Sequence, residues 1–99
     1  MLLKHGVNPN FSKLQLGIFS ILDEVFYTCA KRECIITSAN DGKHMPTSFH
    51  YKDRALDLRD IDLPANMITA VVRELIRKLP KGWQVIKESN HIHIEYDPK

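Results

Sequence analysis

The segment WQVIKESNHIHIEY, residues 83–96, is the most informative part of this chain. It predicts a β-hairpin with strands at residues 83–87 and 91–96 and a tight turn at Ser89-Asn90. Side chains alternate between the two faces of a strand, so the second strand has faces of opposite chemistry. One face is largely apolar and carries Ile92, Ile94 and Tyr96. The other face is polar and carries His91, His93 and Glu95.

Two earlier segments predict further strands. Residues 34–38, CIITS, are rich in β-branched side chains and precede a turn at Asn40-Asp41-Gly42. Residues 55–59, ALDLR, alternate in the same way as the last strand. Leu56 and Leu58 are expected on one face. The opposite face is expected to carry Ala55, Asp57 and Arg59.

Two amphipathic helices are predicted between these strands. Residues 12–30 form the first, and Ser12 with Gln15 gives it a capping-box pattern. The second begins near Asp62 and Pro64, because proline is favoured in the first helical turn, and it ends before Pro80. The expected fold is a single α+β domain over residues 1–99, with a mainly antiparallel sheet and helices packed on one side.

Composition excludes several partners. The formal net charge is +2 and the basic residues are scattered, so no nucleic-acid partner is expected. No apolar run approaches the roughly 20 residues that span a bilayer, so no membrane span is expected. The segment MLLKHGVNPN lacks the apolar core of a signal peptide, which predicts synthesis in the cytoplasm without an export signal.

The polar face of the last strand is a candidate site. Same-face neighbours on a strand lie about 7 Å apart, so His91 and His93 can serve one site, one as a ligand and one in hydrogen bonding or proton transfer. A solvated sheet edge would also tolerate this row of side chains. Asp57 lies in a half-buried pattern, so its carboxylate needs a partner, a hydrogen-bond network or a metal ion, and Arg54 and Arg59 are candidate partners.

Taken together, these residues match the donors of a catalytic zinc site. Such sites use three N and O ligands and leave one position for water. His50, Asp57 and a histidine of the last strand supply that set. Zinc would lower the pKa of the bound water toward about 7 and polarise a peptide carbonyl. Glu88 and His91 are candidates for the general base.

The segment SFHYKDRALD, residues 48–57, resembles the Ser-x-His-x-x-Gly-x-Ala-x-Asp motif of the zinc D-Ala-D-Ala carboxypeptidases, a family that includes phage endolysins. HIHIEY resembles the family's second motif, and the related hedgehog domain and murein endopeptidases have a His-x-His there. The resemblance covers residues 34–97, and the order of predicted elements agrees with it. It implies a hedgehog/DD-peptidase-like fold. Asp53 replaces the motif glycine, and the arginine that binds the substrate carboxylate in many members is absent. Either Lys43, Arg54 or Arg59 substitutes for it, or the enzyme is an endopeptidase that needs no group to hold a terminal carboxylate.

Carried over residue by residue, the resemblance makes His50, Asp57 and His93 the Zn²⁺ ligands and makes His91 and Glu88 the catalytic pair. In the rival assignment His91 is the third ligand and Glu88 is its base. The implied enzyme is a monomeric zinc hydrolase, a carboxypeptidase or endopeptidase that degrades peptidoglycan stem peptides. It would act at the bacterial cell wall as a phage or prophage lysis or virion enzyme. The alternative is a catalytically inactive zinc-binding domain of the same fold.

Overall fold

The computed structural model describes residues 1–7, 10–39 and 54–98. These residues form a five-stranded sheet and three helices, so the α+β class is confirmed. The strands are β1 (Leu2–Leu3), β2 (Ile35–Ser38), β3 (Ala55–Arg59), β4 (Trp83–Lys87) and β5 (His91–Tyr96). The helices are α1 (Lys13–Leu16), α2 (Phe19–Ala30) and α3 (Ala65–Lys78). None of the helices in this part of the chain has the length and apolar character needed to cross a membrane.

The sheet has the strand order β1-β2-β3-β5-β4 and is mixed. β1 lies parallel to β2, whereas β2–β3, β3–β5 and β4–β5 are antiparallel. The prediction of a mainly antiparallel sheet is therefore corrected, because it overlooked β1. Two residues are too few to show an alternating pattern in the sequence, and β1 becomes a strand only through its pairing with β2.

The hydrophobic core lies between one face of the sheet and the two long helices. Leu56 and Leu58 of β3 are fully buried there, as the alternation of ALDLR predicts. The polar neighbour Asp57 lies on the other face. Core residues of the remaining elements include Leu22, Val25, Phe26, Ile36, Val71, Leu75, Ile92 and Ile94.

The first predicted helix is interrupted. Residues 12–30 form α1 and α2 instead of one continuous helix, and the chain leaves the α1 geometry at Gly17 and Ile18. Glycine is a poor helix former, since its backbone loses more freedom than alanine on folding. Gln15 before the break and Ile18 after it are both buried.

The predicted capping box is confirmed and also anchors β3. The Ser12 amide donates to Gln15 Oε1 at 2.9 Å, and the Gln15 amide donates to Ser12 Oγ at 3.2 Å. The Gln15 side-chain amide then donates to the Ala55 carbonyl at 3.0 Å. Ala55 begins β3 two residues before Asp57, so α1 helps to hold the strand that carries this carboxylate.

Replacing this glutamine, Gln15→Ala, is expected to lower the free energy of unfolding by about 2–3 kcal/mol. The variant removes half of a capping box and leaves the buried Ala55 carbonyl without its donor. Urea unfolding followed by circular dichroism measures the change. Lys13→Ala in the exposed part of the same helix is the control, with an expected change within about 0.5 kcal/mol. Equal effects of the two variants would contradict the anchoring role.

Candidate metal centre

The register between β3 and β5 places Asp57 opposite His93. On the core side of the same two strands, Leu56 pairs with Ile94 and Leu58 with Ile92. Burial of these four apolar side chains directs the residues between them to the other face of the sheet. The site residues are therefore positioned by the core beneath them.

Asp57 and His93 are in direct contact across this strand pair. Asp57 Oδ1 lies 2.8 Å from His93 Nδ1, and the two side chains are only 15% and 16% exposed. Half-burial strengthens such a contact, because less water competes for the two groups. Asp57 therefore has a partner in an imidazole, one of the outcomes that its half-buried position requires.

A second carboxylate binds the other side of the same ring. His93 Nε2 lies 2.7 Å from Glu95 Oε1. Ionised carboxylates only accept hydrogen bonds, so a ring between two of them holds a proton on each nitrogen. The bond with Asp57 raises the pKa of His93, burial of the ring opposes the rise, and the bond with Glu95 adds to it. In the absence of metal, the proton is the cation that this pair of carboxylates holds.

His91 approaches the same group of side chains from one side, and Asp57, His93, Glu95 and His91 together are called the Asp57 cluster. Its Nε2 lies 3.5 Å from Asp57 Oδ1, and its Nδ1 lies 2.7 Å from the side-chain oxygen of Asn90. With Nδ1–H donating to Asn90, the Nε2 edge faces the carboxylate. Both histidines of the HIHIEY segment therefore approach the same Asp57 oxygen, His93 more closely.

The remaining predicted site residues are placed less directly. His50 and Lys43 lie outside the described residues. The Glu88 side chain is exposed, and within the described ranges no hydrogen bond or ion pair joins its carboxylate to the cluster. Its backbone amide donates to the His91 carbonyl at 2.9 Å, which closes the hairpin. The Arg54 guanidinium lies over the Tyr96 ring, 5.7 Å from its centre.

The donor types of the cluster fit a zinc ion, although the described part of the chain does not complete a ligand set. Asp57 supplies a carboxylate oxygen and His93 an imidazole nitrogen, the donors that zinc takes. Among residues 1–7, 10–39 and 54–98, no three His, Cys, Asp or Glu side chains form a group that could hold a metal. The third predicted ligand, His50, lies outside these ranges.

Glu95 is a site residue to which the sequence analysis gave no role. It lies two residues after His93 on the same face of β5, so the alternation already placed it beside the ring. The alternation of HIHIEY therefore contains the signal that places Glu95 beside His93. A histidine that binds a metal through one ring nitrogen commonly donates its other ring N–H to a carboxylate, and the contact of His93 Nε2 with Glu95 has this form.

In chelator-treated protein, Asp57→Asn is expected to lower the pKa of His93, because the bond with Asp57 is the main cause of its rise. Protonated His93 stabilises the wild-type fold fully below the pKa of an unfolded histidine. This contribution is lost as the pH rises through the higher pKa of the folded protein. NMR titration of the His93 ring, with urea unfolding across the same pH range, measures both effects.

Glu24→Gln, at an exposed carboxylate of α2, is the control for this titration. It should leave the His93 titration unchanged. An unchanged pKa in Asp57→Asn would show that the carboxylate does not hold the ring as described.

Comparison of the whole chain with protein-family models, curated proteins and solved structures found no match. The resemblance to zinc carboxypeptidases consequently depends on the two sequence motifs. The side-chain geometry around Asp57 is an observation independent of these motifs.

Proposed function

We propose that this chain is a zinc metallopeptidase that hydrolyses amide bonds in peptidoglycan stem peptides. The observation that carries the proposal is the contact of Asp57 with His93, 2.8 Å across paired strands. Two of the three proposed ligands, distant in sequence, meet on one half-buried patch of the sheet. His50 would be the third ligand, from the segment between β2 and β3.

The cluster has the chemistry of a site for a divalent cation. Two carboxylates flank a single imidazole, and their combined negative charge favours a bound cation. If Glu95 keeps the proton on His93 Nε2, the Nδ1 lone pair is available to a metal beside Asp57. Zinc held by Asp57, His93 and His50 would activate water as a nucleophile and polarise the amide carbonyl.

His91 is suited to assist the reaction, because it lies beside the proposed ligands. With Nδ1 donating to Asn90, the imidazolium form of His91 carries a second N–H on the edge that faces Asp57. This N–H can donate to the substrate carbonyl oxygen as negative charge develops there. The closer contact of His93 with Asp57 favours His93 over His91 as the metal ligand.

Glu88 is the proposed acid/base group that moves a proton to the leaving amine. It follows β4 directly, at the end of the hairpin that carries His91. The exposed position of its side chain leaves it accessible to substrate. In many enzymes a catalytic carboxylate contacts the reacting atoms only when substrate is bound. An exposed Glu88 carboxylate before substrate binding is therefore compatible with an acid/base role.

The proposal extends to the fold family and the biological setting. The order of elements, with the His50 segment between β2 and β3 and the ligand hairpin after α3, agrees with a hedgehog/DD-peptidase-like domain. The proposed enzyme is a monomer that acts at the bacterial cell wall, as a phage or prophage lysis enzyme or as part of a virion. These statements depend on the motif resemblance.

Alanine at His50, Asp57 or His93 is expected to abolish zinc binding and wall-degrading activity, since each removes one of three protein ligands. Elemental analysis of untagged protein and release of peptides from purified peptidoglycan are the measurements. His5→Ala, at an exposed histidine of the N-terminal segment, is the control and should keep its zinc. Full zinc occupancy in Asp57→Ala would refute the ligand assignment, and a metal-free wild type would leave only a structural domain.

Glu88→Ala is expected to retain zinc but to lower turnover by about 100-fold or more, the usual scale for an acid/base group. Steady-state hydrolysis of stem peptides by the zinc-loaded variant measures this effect. Glu24→Ala, which removes an exposed carboxylate of α2, is the matched control and should leave turnover unchanged. If the Glu88 variant kept full activity, the proton-transfer group would be His91 and not Glu88.

A catalytically inactive zinc-binding domain is the second candidate. The specific observation in its favour is that, within the described residues, the Glu88 carboxylate has no contact with the cluster. Zinc-loaded wild-type protein that releases no peptide from peptidoglycans of several chemical types would favour this candidate. Release of stem peptides would favour the enzyme.

A further inference from the structure

A cavity of about 380 Å³ opens beside the Asp57 cluster and has a cationic lining. Its lining residues in the described part of the chain are Lys4, Thr37, Arg59, Ile61, Asn90 and His91. Two of them are permanent cations, and none is a carboxylate. Asp57 lies nearby, but its Oδ1 is engaged by the two imidazoles.

The lining is built into the sheet. Lys4 follows β1, and its backbone amide donates to the Ile36 carbonyl of β2 at 2.9 Å. Arg59 at the end of β3 pairs directly with His91 at the start of β5. The lining therefore comes from Lys4 after β1, Thr37 of β2, Arg59 of β3 and His91 of β5. Backbone pairing holds these neighbouring segments side by side.

Among the described residues, the positive charge of this cavity is incompletely neutralised. Arg59 Nε lies 3.6 Å from Asp62 Oδ1, but Arg32 holds the other oxygen of that carboxylate at 2.5 Å. One carboxylate thus serves two guanidinium groups. Arg59 Nε is buried without a hydrogen bond among the described atoms, and Lys4 has no ion pair within the same ranges.

Two further side chains define the class of ligand. The Asn90 side-chain oxygen accepts from His91, so its amide N–H groups point elsewhere and can donate to a ligand. Ile61 is an apolar residue on the cavity wall and is 67% exposed. A ligand that combines an oxyanion with a short apolar group would satisfy the cations, the amide and Ile61 together.

We propose that this cavity binds the carboxylate or phosphate group of a small organic ligand between Lys4 and Arg59, with Asn90 as an additional donor. The proposal does not rest on the zinc site, because Asp57 and His93 are not among the described residues that line the cavity. It would hold for a metal-free domain as well.

The test is a titration of the full chain after chelation of metals, at constant ionic strength. Sodium phosphate, acetate and butyrate are added separately, and backbone amide shifts are followed by ¹⁵N NMR. Saturable shifts at Arg59, Asn90 and His91 are expected. Tightest binding of phosphate indicates a phosphate ligand, whereas tighter binding of butyrate than of acetate indicates a carboxylate with an apolar group beside Ile61.

Lys4→Gln and Arg59→Gln are each expected to weaken binding about tenfold, since each removes one charge-assisted contact. Lys81→Gln is the matched control, because it removes an exposed lysine that lines a different cavity. Amide shifts far from the cavity show whether each variant is folded. If Arg59→Gln unfolds the protein, Lys4→Gln alone decides the outcome.

Shifts that do not saturate would overturn the proposal. So would equal binding by Lys4→Gln and Lys81→Gln. Because the titration is made without metal, its result is independent of the zinc content measured for the peptidase proposal. Failure of one proposal can therefore be recognised without reference to the other.

Discussion

The register between β3 and β5 is the constraint on which the rest of this structure depends. In this register Leu56 and Leu58 pair with Ile94 and Ile92, and all four face the helices. Burial of each such side chain contributes about 1.5–3 kcal/mol. A slip of one residue would turn all the side chains of one strand to the opposite face. The core therefore keeps Asp57 on the face of the sheet that carries His91 and His93.

This selection has an electrostatic consequence on the other face. Asp57 and Glu95 approach the two nitrogens of a single half-buried ring. Two carboxylates this close repel each other unless a cation lies between or beside them. A proton on His93 satisfies that requirement, and the proposed divalent cation beside Asp57 and His93 Nδ1 would satisfy it with more charge. The packing that stabilises the domain thereby also brings together two carboxylates whose repulsion a bound cation reduces.

The parts of the fold that follow from local patterning were predictable. The bounds of β3, β4 and β5 agree with the alternation of their sequences, and the Ser12–Gln15 capping box has the predicted contacts. The parallel strand β1 was not predictable, because its two residues show no alternation and it forms only by pairing with β2. The break at Gly17 has a local signal, the poor helix propensity of glycine, but the apolar periodicity of residues 12–30 runs across it. In the candidate site, alternation placed His91, His93 and Glu95 on one face, but only coordinates show which ring nitrogen meets which carboxylate.

The cluster and the cavity have opposite electrostatic preferences and lie side by side. Asp57 and Glu95 favour a cation, whereas Lys4 and Arg59 favour an anion, and His91 borders both groups. Two adjacent regions of opposite charge attract a ligand and also orient it. Because His91 lines the cavity and contacts Asp57, a ligand whose anionic end occupied the cavity would lie next to the Asp57 cluster. The two proposals are compatible for this reason: a cavity that holds the charged end of a peptide also limits which of its amide groups can reach the cation site.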